Sequence, residues 1–153
     1  MFRSIVVGTD GSETANEAVR QATELAKAVG AKVNLVSAFQ PVGNQRLREE
    51  RTQVPDDAQW MVNEREDVDA TLRDARDRAK DAGVEVETFS RQGDPADAIL
   101  DVAEEQGADL IIVGSHGYNR WERLLLGSVS DSVIHHAPCS VLVVRNYNCV
   151  EEN

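Results

Sequence analysis

Four residues of one stretch have a spacing suited to phosphate chemistry: Gly114, Gly117, Gly127 and Ser128. They follow Leu110-Ile111-Ile112-Val113, an apolar run with the length and β-branched content of a buried strand. Gly114-Ser115-His116-Gly117 reads as a turn. Nine residues (118–126) intervene, and Gly127-Ser128 opens an amphipathic segment, Val129 to His136, that reads as a helix. Glycines let backbone N–H groups approach an anion that a Cβ would hold away. A helix N-terminus adds orphan amides and the positive dipole end, and the Ser128 and Ser130 hydroxyls can add donors. Residues 114–128 carry a formal charge of +1, from Arg120, Arg123 and Glu122, against −11 for the whole chain, so local donors must overcome a global repulsion. These are the parts of a nucleotide-phosphate cradle.

A second stretch rich in oxygen ligands is Gly8-Thr9-Asp10-Gly11-Ser12, in which Asp10 is either a turn former and cap or a carboxylate turned toward a ligand. No GxxxxGK[ST] sequence is present, so a Walker-type ATPase is not indicated, and no nucleophile with an adjacent base presents itself. His135 and His136 fall at a helix C-terminus, where imidazolium suits the dipole. With Cys139 as the one cysteine nearby, they make a poor metal set. His116 lies inside the glycine turn, as a ligand contact or a backbone brace. Trp60 and Met61 read as packing or lid residues, and Arg46, Arg48 and Arg51 as a solvated loop.

These stretches need elements to position them. Ile5-Val6-Val7 predicts a first strand ending in the Asp10 loop. Ser12 then caps a helix with apolar positions Ala15, Ala18, Val19, Ala22, Leu25, Ala26 and Val29, stopped at Gly30. Val33 to Ala38 is a second strand. Residues 39–55 lose periodicity, as a lid or disordered loop does, and a long helix is expected from Asp56 or Asp57 to Ala82. Val84 to Phe89 alternates with period two, predicting a half-exposed edge strand. Asp94 caps and Pro95 opens a further helix with core face Ala98, Ile99, Val102 and Ala103. Leu110–Val113 is the fourth strand and Val141–Val144 the fifth. The order implies an open, doubly wound parallel α/β sheet with helices on both faces, and a ligand crevice beyond the carboxyl ends of its strands. If the first and fourth strands are neighbours, Asp10 and the glycine turn face each other across it.

With 153 residues and 16.8 kDa the chain is large enough for one domain with its own core, over residues 1–146, leaving 147–153 as a short C-terminal tail. Its 16 Lys and Arg against 27 Asp and Glu argue against nucleic acid or an anionic membrane surface as partner. Lys27, Lys32 and Lys80 are the only lysines, so the composition fits either a plain acidic protein or a halophilic one; stability that fails to rise with KCl would exclude the second. Cys139 and Cys149 lack CxxC spacing and suggest a reduced, cytoplasmic setting. With no signal-like apolar segment and no 18-residue apolar run, neither export by that route nor a membrane span is expected.

The pattern G-x2-G-x9-G-[ST] formed by Gly114, Gly117, Gly127 and Ser128 resembles the nucleotide signature of the universal stress protein family. So do Ile5-Val6-Val7-Gly8-Thr9-Asp10-Gly11-Ser12, Leu124 to Ser130, His136-Ala137-Pro138-Cys139 and Val141 to Val144, and the likeness runs from about Arg3 to Arg145. Three positions depart: Tyr118 stands where many members have a basic residue, Arg120 two residues on stands in place of glycine, and Ser140 stands where proline is common. The resemblance implies a Rossmann-like, adenine nucleotide α-hydrolase-type fold with strand order 3-2-1-4-5 and a homodimer through the last strand, Val141 to Val144. In the ATP-binding branch it puts adenine near the backbone of Thr9 and of Ser37 or Ala38, ribose on Asp10, and phosphates near Val113, Gly114, Gly117, Gly127, Ser128, Val129 and Ser130. Asp10 could also face a nucleotide-bound Mg2+. The function so implied is ATP binding as a regulatory or sensing ligand in a stress response, with slow hydrolysis at most. A nucleotide-free dimeric interaction protein is the alternative, and an enzyme of the α-hydrolase group comes last, because Asp10-Gly11-Ser12 lacks the fuller Ser-Gly-Gly-x-Asp-Ser pattern.

Overall fold

The computed structural model of the chain describes residues 1–40, 65–115 and 127–145. At its centre lies β1 (Ser4–Gly8), whose Ile5, Val6 and Val7 are all fully buried. Three consecutive apolar side chains on a strand point to alternate faces, so both faces must be covered. β2 (Lys32–Phe39) pairs with β1 on one edge and β4 (Leu110–Gly114) on the other, both parallel. β3 (Val86–Gln92) and β5 (Ser140–Val144) complete a five-stranded sheet of order β3-β2-β1-β4-β5. That is the doubly wound α/β architecture expected from the alternation of elements.

The helices divide between the faces according to strand parity. Ile5, Val7, Val33, Leu35, Leu110 and Ile112 pack under α1 (Glu13–Val29) and α2 (Arg65–Asp81). Val6, Val36, Ile111 and Val113 pack under α3 (Pro95–Glu105) and α4 (Ser128–His136). Caps read from the sequence are in place: Ser12 Oγ accepts from the Ala15 amide at 3.2 Å, and an Asp94 carboxylate oxygen accepts from the Asp97 amide at 3.1 Å. The Nδ1–H groups of His135 and His136 donate to the Asp131 and Ser132 carbonyls at 2.7 and 2.9 Å, so these rings tie up the last turn of α4. At the opposite end of the sheet from the strand tips, Asp109 accepts from the Arg3 and Ser4 amides at 2.9 and 3.2 Å and fastens the start of β1 to the start of β4.

The third strand is displaced from its expected place. Val84 continues the alternation but belongs to the end of α2: its amide donates to Ala79 and that of Gly83 to Lys80, with Gly83 at φ 82°. Buried Val84 thus closes the helix beside buried Ala79, and the strand starts at Val86. β3 is half-exposed and lies at a sheet edge, as its period-two pattern predicts. The expected loop beyond Gln40, the start of the long helix, Trp60 and Met61 lie outside the described residues. None of the described helices is long and apolar enough to cross a membrane.

Candidate functional site

A crevice opens because β1 is the shortest of the three central strands at its carboxyl end. Its pairing with β2 ends at Gly8 and Val36 and its pairing with β4 at Val7 and Ile112, whereas β2 continues to Phe39 and β4 to Gly114. The chain order also reverses there, with β2 on one side of β1 and β4 on the other. The resulting cleft is open to solvent, and the empty space in and above it amounts to about 550 Å³. Thr9 and Asp10 line it from the loop after β1, Ser37 and Ala38 from β2, and Val113 and Gly114 from β4. Val129 and Ser130 line it from the first turn of α4.

Strand parity distinguishes the two β2 positions. The Thr9 amide donates to the Val36 carbonyl at 2.9 Å, whereas the Phe39 carbonyl accepts from Gly93 on the other side. Along a strand the peptide groups of alternate residues point to the same edge. Ala38 therefore turns its N–H and C=O to the same side as Val36, where β1 has already ended, while Ser37 turns its own toward β3. Ala38 presents a donor and an acceptor to the cleft, as an unfinished sheet edge does.

Asp10 sits in a tightly specified turn. Its Oδ1 accepts from the Ser12 amide at 2.9 Å, and Thr9 Oγ1 accepts from the Gly11 amide at 3.4 Å. Gly11 adopts φ 81°, a left-handed conformation that glycine takes without steric cost. Asp10 lines the cleft just beyond the end of β1, with its Oδ2 buried.

Gly114 has a different reason for lacking a side chain. A Cβ there would meet Thr14 Cγ2 at 2.8 Å and the Thr14 carbonyl oxygen at 3.0 Å. The glycine admits the first turn of α1 as well as leaving room at the cleft. Its carbonyl accepts from Ser130 Oγ at 2.8 Å, a bond that ties α4 to the tip of β4 and occupies the Ser130 donor. Beyond it, the Ser115 amide donates to Val144 at 2.8 Å, extending the β4–β5 ladder.

Gly127 is the N-cap of α4, with φ −61° and ψ 156°, and no side chain of the described residues bonds to this helix end. The helix begins at Ser128, and the amides of its first turn lack intrahelical acceptors. Gly127 and Ser128 adjoin the cleft without lining it, and Gly117 and His116 lie outside the described residues. The cleft also includes Gly8, Ala15, Val36, Pro95 and Ile99, none of them read as a site residue from the sequence. Ile99 and Pro95 read as helix-core and helix-start residues; only the packing of α3 against Gly8 brings them to the cleft. A Cβ on Gly8 would lie 2.5 Å from Ile99 Cδ1.

Among the described residues no three His, Cys, Asp or Glu side chains converge as a metal site. Mg2+ commonly keeps several waters and takes one or two carboxylates together with substrate phosphates. Asp10 fits that limited part. Cys139 is a free thiol, and partial burial, reinforced by the Asp109 carboxylate, pushes its pKa upward.

Fold and cleft together define a doubly wound α/β protein with its crevice at the switch point of the sheet, and a helix N-terminus, an open peptide edge and a carboxylate around it. The universal stress protein family model matches residues 1–145, and the chain belongs to that family. A universal stress protein of Methanocaldococcus jannaschii is 35% identical over 153 residues, covering 95% of this chain and 83% of the relative. A universal stress protein solved in complex with cAMP superposes with a TM-score of 0.69 at 34% identity, over 95% of this chain and 98% of the other. One from Archaeoglobus fulgidus, solved in complex with dAMP, gives 0.65 at 27% identity, over 93% and 97%.

Proposed function

We propose that this protein binds an adenine nucleotide, ATP in the first instance, in the cleft between β1 and β4, as a regulatory or sensing ligand in a cytoplasmic stress response. The observation that carries the reading is the convergence on one cleft of the Ala38 peptide edge and the first turn of α4. Adenine offers a ring-nitrogen acceptor beside an exocyclic amino donor, the complement of one peptide N–H and C=O. Asp10 accepts from ribose hydroxyls. Phosphates lie toward Gly114, Gly117 and the amides of Gly127 to Ser130, where dipole and orphan donors favour anions. Relatives solved with cAMP and dAMP support the adenine assignment. The preference for a triphosphate rests on the G-x2-G-x9-G-[ST] spacing. Mg2+ would arrive with the phosphates and could meet Asp10.

Calorimetric titration with ATP and Mg2+, followed by AMP, tests the reading. One site per chain with ATP bound more tightly than AMP is expected. Absence of heat at high protein concentration refutes nucleotide binding, and equal affinity refutes the triphosphate assignment.

A second reading, of a dimeric interaction protein working without nucleotide, draws on β5. It is the other sheet edge, and Leu142 and Ile134 beside it are 40% and 41% exposed. An edge strand with apolar side chains suits pairing with a second copy through Val141 to Val144. The dimer is compatible with either function. A Gly127→Val variant that dimerises but loses function in cells would speak against the nucleotide-free reading.

A further inference from the structure

Where β1 stops, the floor of the cleft is made in part by a side chain from outside the sheet. Gly8, the last residue of β1, has no Cβ, and the space one would fill is taken by Ile99 of α3, with Cδ1 2.5 Å and Cγ1 3.1 Å from the Cβ position. A Cα–Cβ bond is about 1.5 Å long, so Ile99 Cδ1 lies within about 4 Å of the Gly8 Cα itself, in carbon–carbon contact. Both residues line the cleft, and Ile99 is buried in one apolar cluster with Val36 and Val113, which line it too. The direction of β2 sets which part of a base reaches this floor. The Thr9 amide takes the Val36 carbonyl, so the next groups along that edge of β2 are the Ala38 N–H and C=O. A residue's N–H precedes its C=O along the chain, which puts the Ala38 N–H nearer the floor and the C=O nearer the mouth. An adenine paired there through N1 and its N6 amino group has N6 toward the mouth. Its C2, on the other side of N1, then faces the floor at Gly8 and Ile99. Pairing through N7 instead of N1 would aim the glycosidic bond at the floor, which has no room for a ribose.

We infer that Ile99 is a specificity-determining residue whose Cδ1 restricts the cleft to purines carrying hydrogen at C2. The inference rests on the nucleotide reading above. A branched side chain packed against backbone yields little to an added group, and overpacking by a single methyl is costly. Removal of Cδ1 leaves a hollow the size of a methyl beneath C2. A methyl on C2 fills that hollow, so the same deletion that loosens the fit of adenine improves the fit of its 2-methyl derivative.

The test compares dissociation constants for ATP, 2-methyl-ATP and N6-methyl-ATP in the wild type and Ile99→Val, with thermal melts of both. The wild type should prefer ATP to 2-methyl-ATP by on the order of tenfold, the cost of one methyl forced into a packed wall. Ile99→Val, which deletes Cδ1 alone, should bind ATP about twofold more weakly and 2-methyl-ATP about fivefold more tightly, so that the two converge. The ratio of ATP to N6-methyl-ATP should stay as in the wild type, because that methyl lies toward the mouth. An unchanged preference against 2-methyl-ATP in Ile99→Val, or an equal gain for N6-methyl-ATP, overturns the proposal. A wild type that binds ATP and 2-methyl-ATP equally overturns it too and leaves the nucleotide cleft standing; a wild type that binds neither overturns the nucleotide reading and this proposal with it. If Ile99→Val melts too low to assay, the wild type alone decides: affinity should fall with substituent size from ATP to 2-chloro-ATP to 2-methylthio-ATP, and a flat series refutes the proposal.

Discussion

Replacing Gly114 with alanine should destabilise the protein through the backbone of α1, before any ligand is considered. The added methyl would lie 2.8 Å from Thr14 Cγ2, 3.0 Å from the Thr14 carbonyl oxygen and 3.1 Å from its carbonyl carbon. A rotamer change can withdraw Cγ2, but the carbonyl belongs to the first turn of α1 and moves only with the helix. Overpacking of this kind costs about 1–3 kcal/mol, and stretching the Ser130–Gly114 bond adds about 1 kcal/mol, so a loss of about 2–4 kcal/mol is expected. For a chain of this size that lowers Tm by roughly 5–15 °C. Urea unfolding of Gly114→Ala, Thr14→Ala and the double variant measures it. Thr14→Ala removes Cγ2 and leaves the carbonyl, so the double variant should recover only part of the loss. Gly8 provides the contrast, because its Cβ would crowd only side-chain atoms, Ile99 Cδ1 at 2.5 Å and Cγ1 at 3.1 Å, with Val113 Cγ1 in ordinary contact at 3.9 Å. Gly8→Ala should therefore be largely rescued by Ile99→Val, which deletes Cδ1. Gly114→Ala within about 0.5 kcal/mol of wild type, or full rescue by Thr14→Ala, would refute the reasoning.

Ala38→Pro removes an N–H that faces the cleft and leaves the pairing of Ser37 and Phe39 with β3, so adenine nucleotide affinity should fall about two- to tenfold by calorimetry, with unfolding little changed. Ser130→Ala should cost about 1 kcal/mol in urea unfolding, because the part-buried Gly114 carbonyl loses its donor. Ser12→Ala and Asp94→Ala each remove an N-cap, and each should cost about 1 kcal/mol. Glu17 is held at about 2, below its ordinary 4.5, first by the hydrogen bond from Arg20 and then by that from Gln21. A carboxyl lowered on folding stabilises fully above 4.5 and loses its contribution as pH falls toward 2. The small gap in urea midpoint between wild type and Arg20→Ala should therefore be constant from pH 5 to 7 and close on acidification; a gap that widens on acidification would reverse the sign.

The amino-acid sequence by itself determined the elements and their faces. Ile5-Val6-Val7 and Leu110 to Val113 are too short and too β-branched for anything but buried strands. Ser12, Asp94 and Pro95 mark helix starts by local hydrogen bonding that needs no distant partner. The strand–helix alternation then leaves few topologies, and the Asp10 and glycine stretches fall at the strand ends where a doubly wound sheet opens. Tertiary structure decided what depends on neighbours remote in sequence. Val84 has the pattern of a strand residue, but the end of α2 takes it. Ser37 and Ala38 are equivalent until β1 ends at Gly8 and leaves one of the two peptide groups facing a gap. Gly114 has the spacing of a phosphate-loop glycine, yet its carbonyl and its missing Cβ answer to Ser130 and Thr14 on two different helices. Periodicity and capping are properties of short segments; the direction of a peptide edge and the room beside a glycine are set by what folds against them.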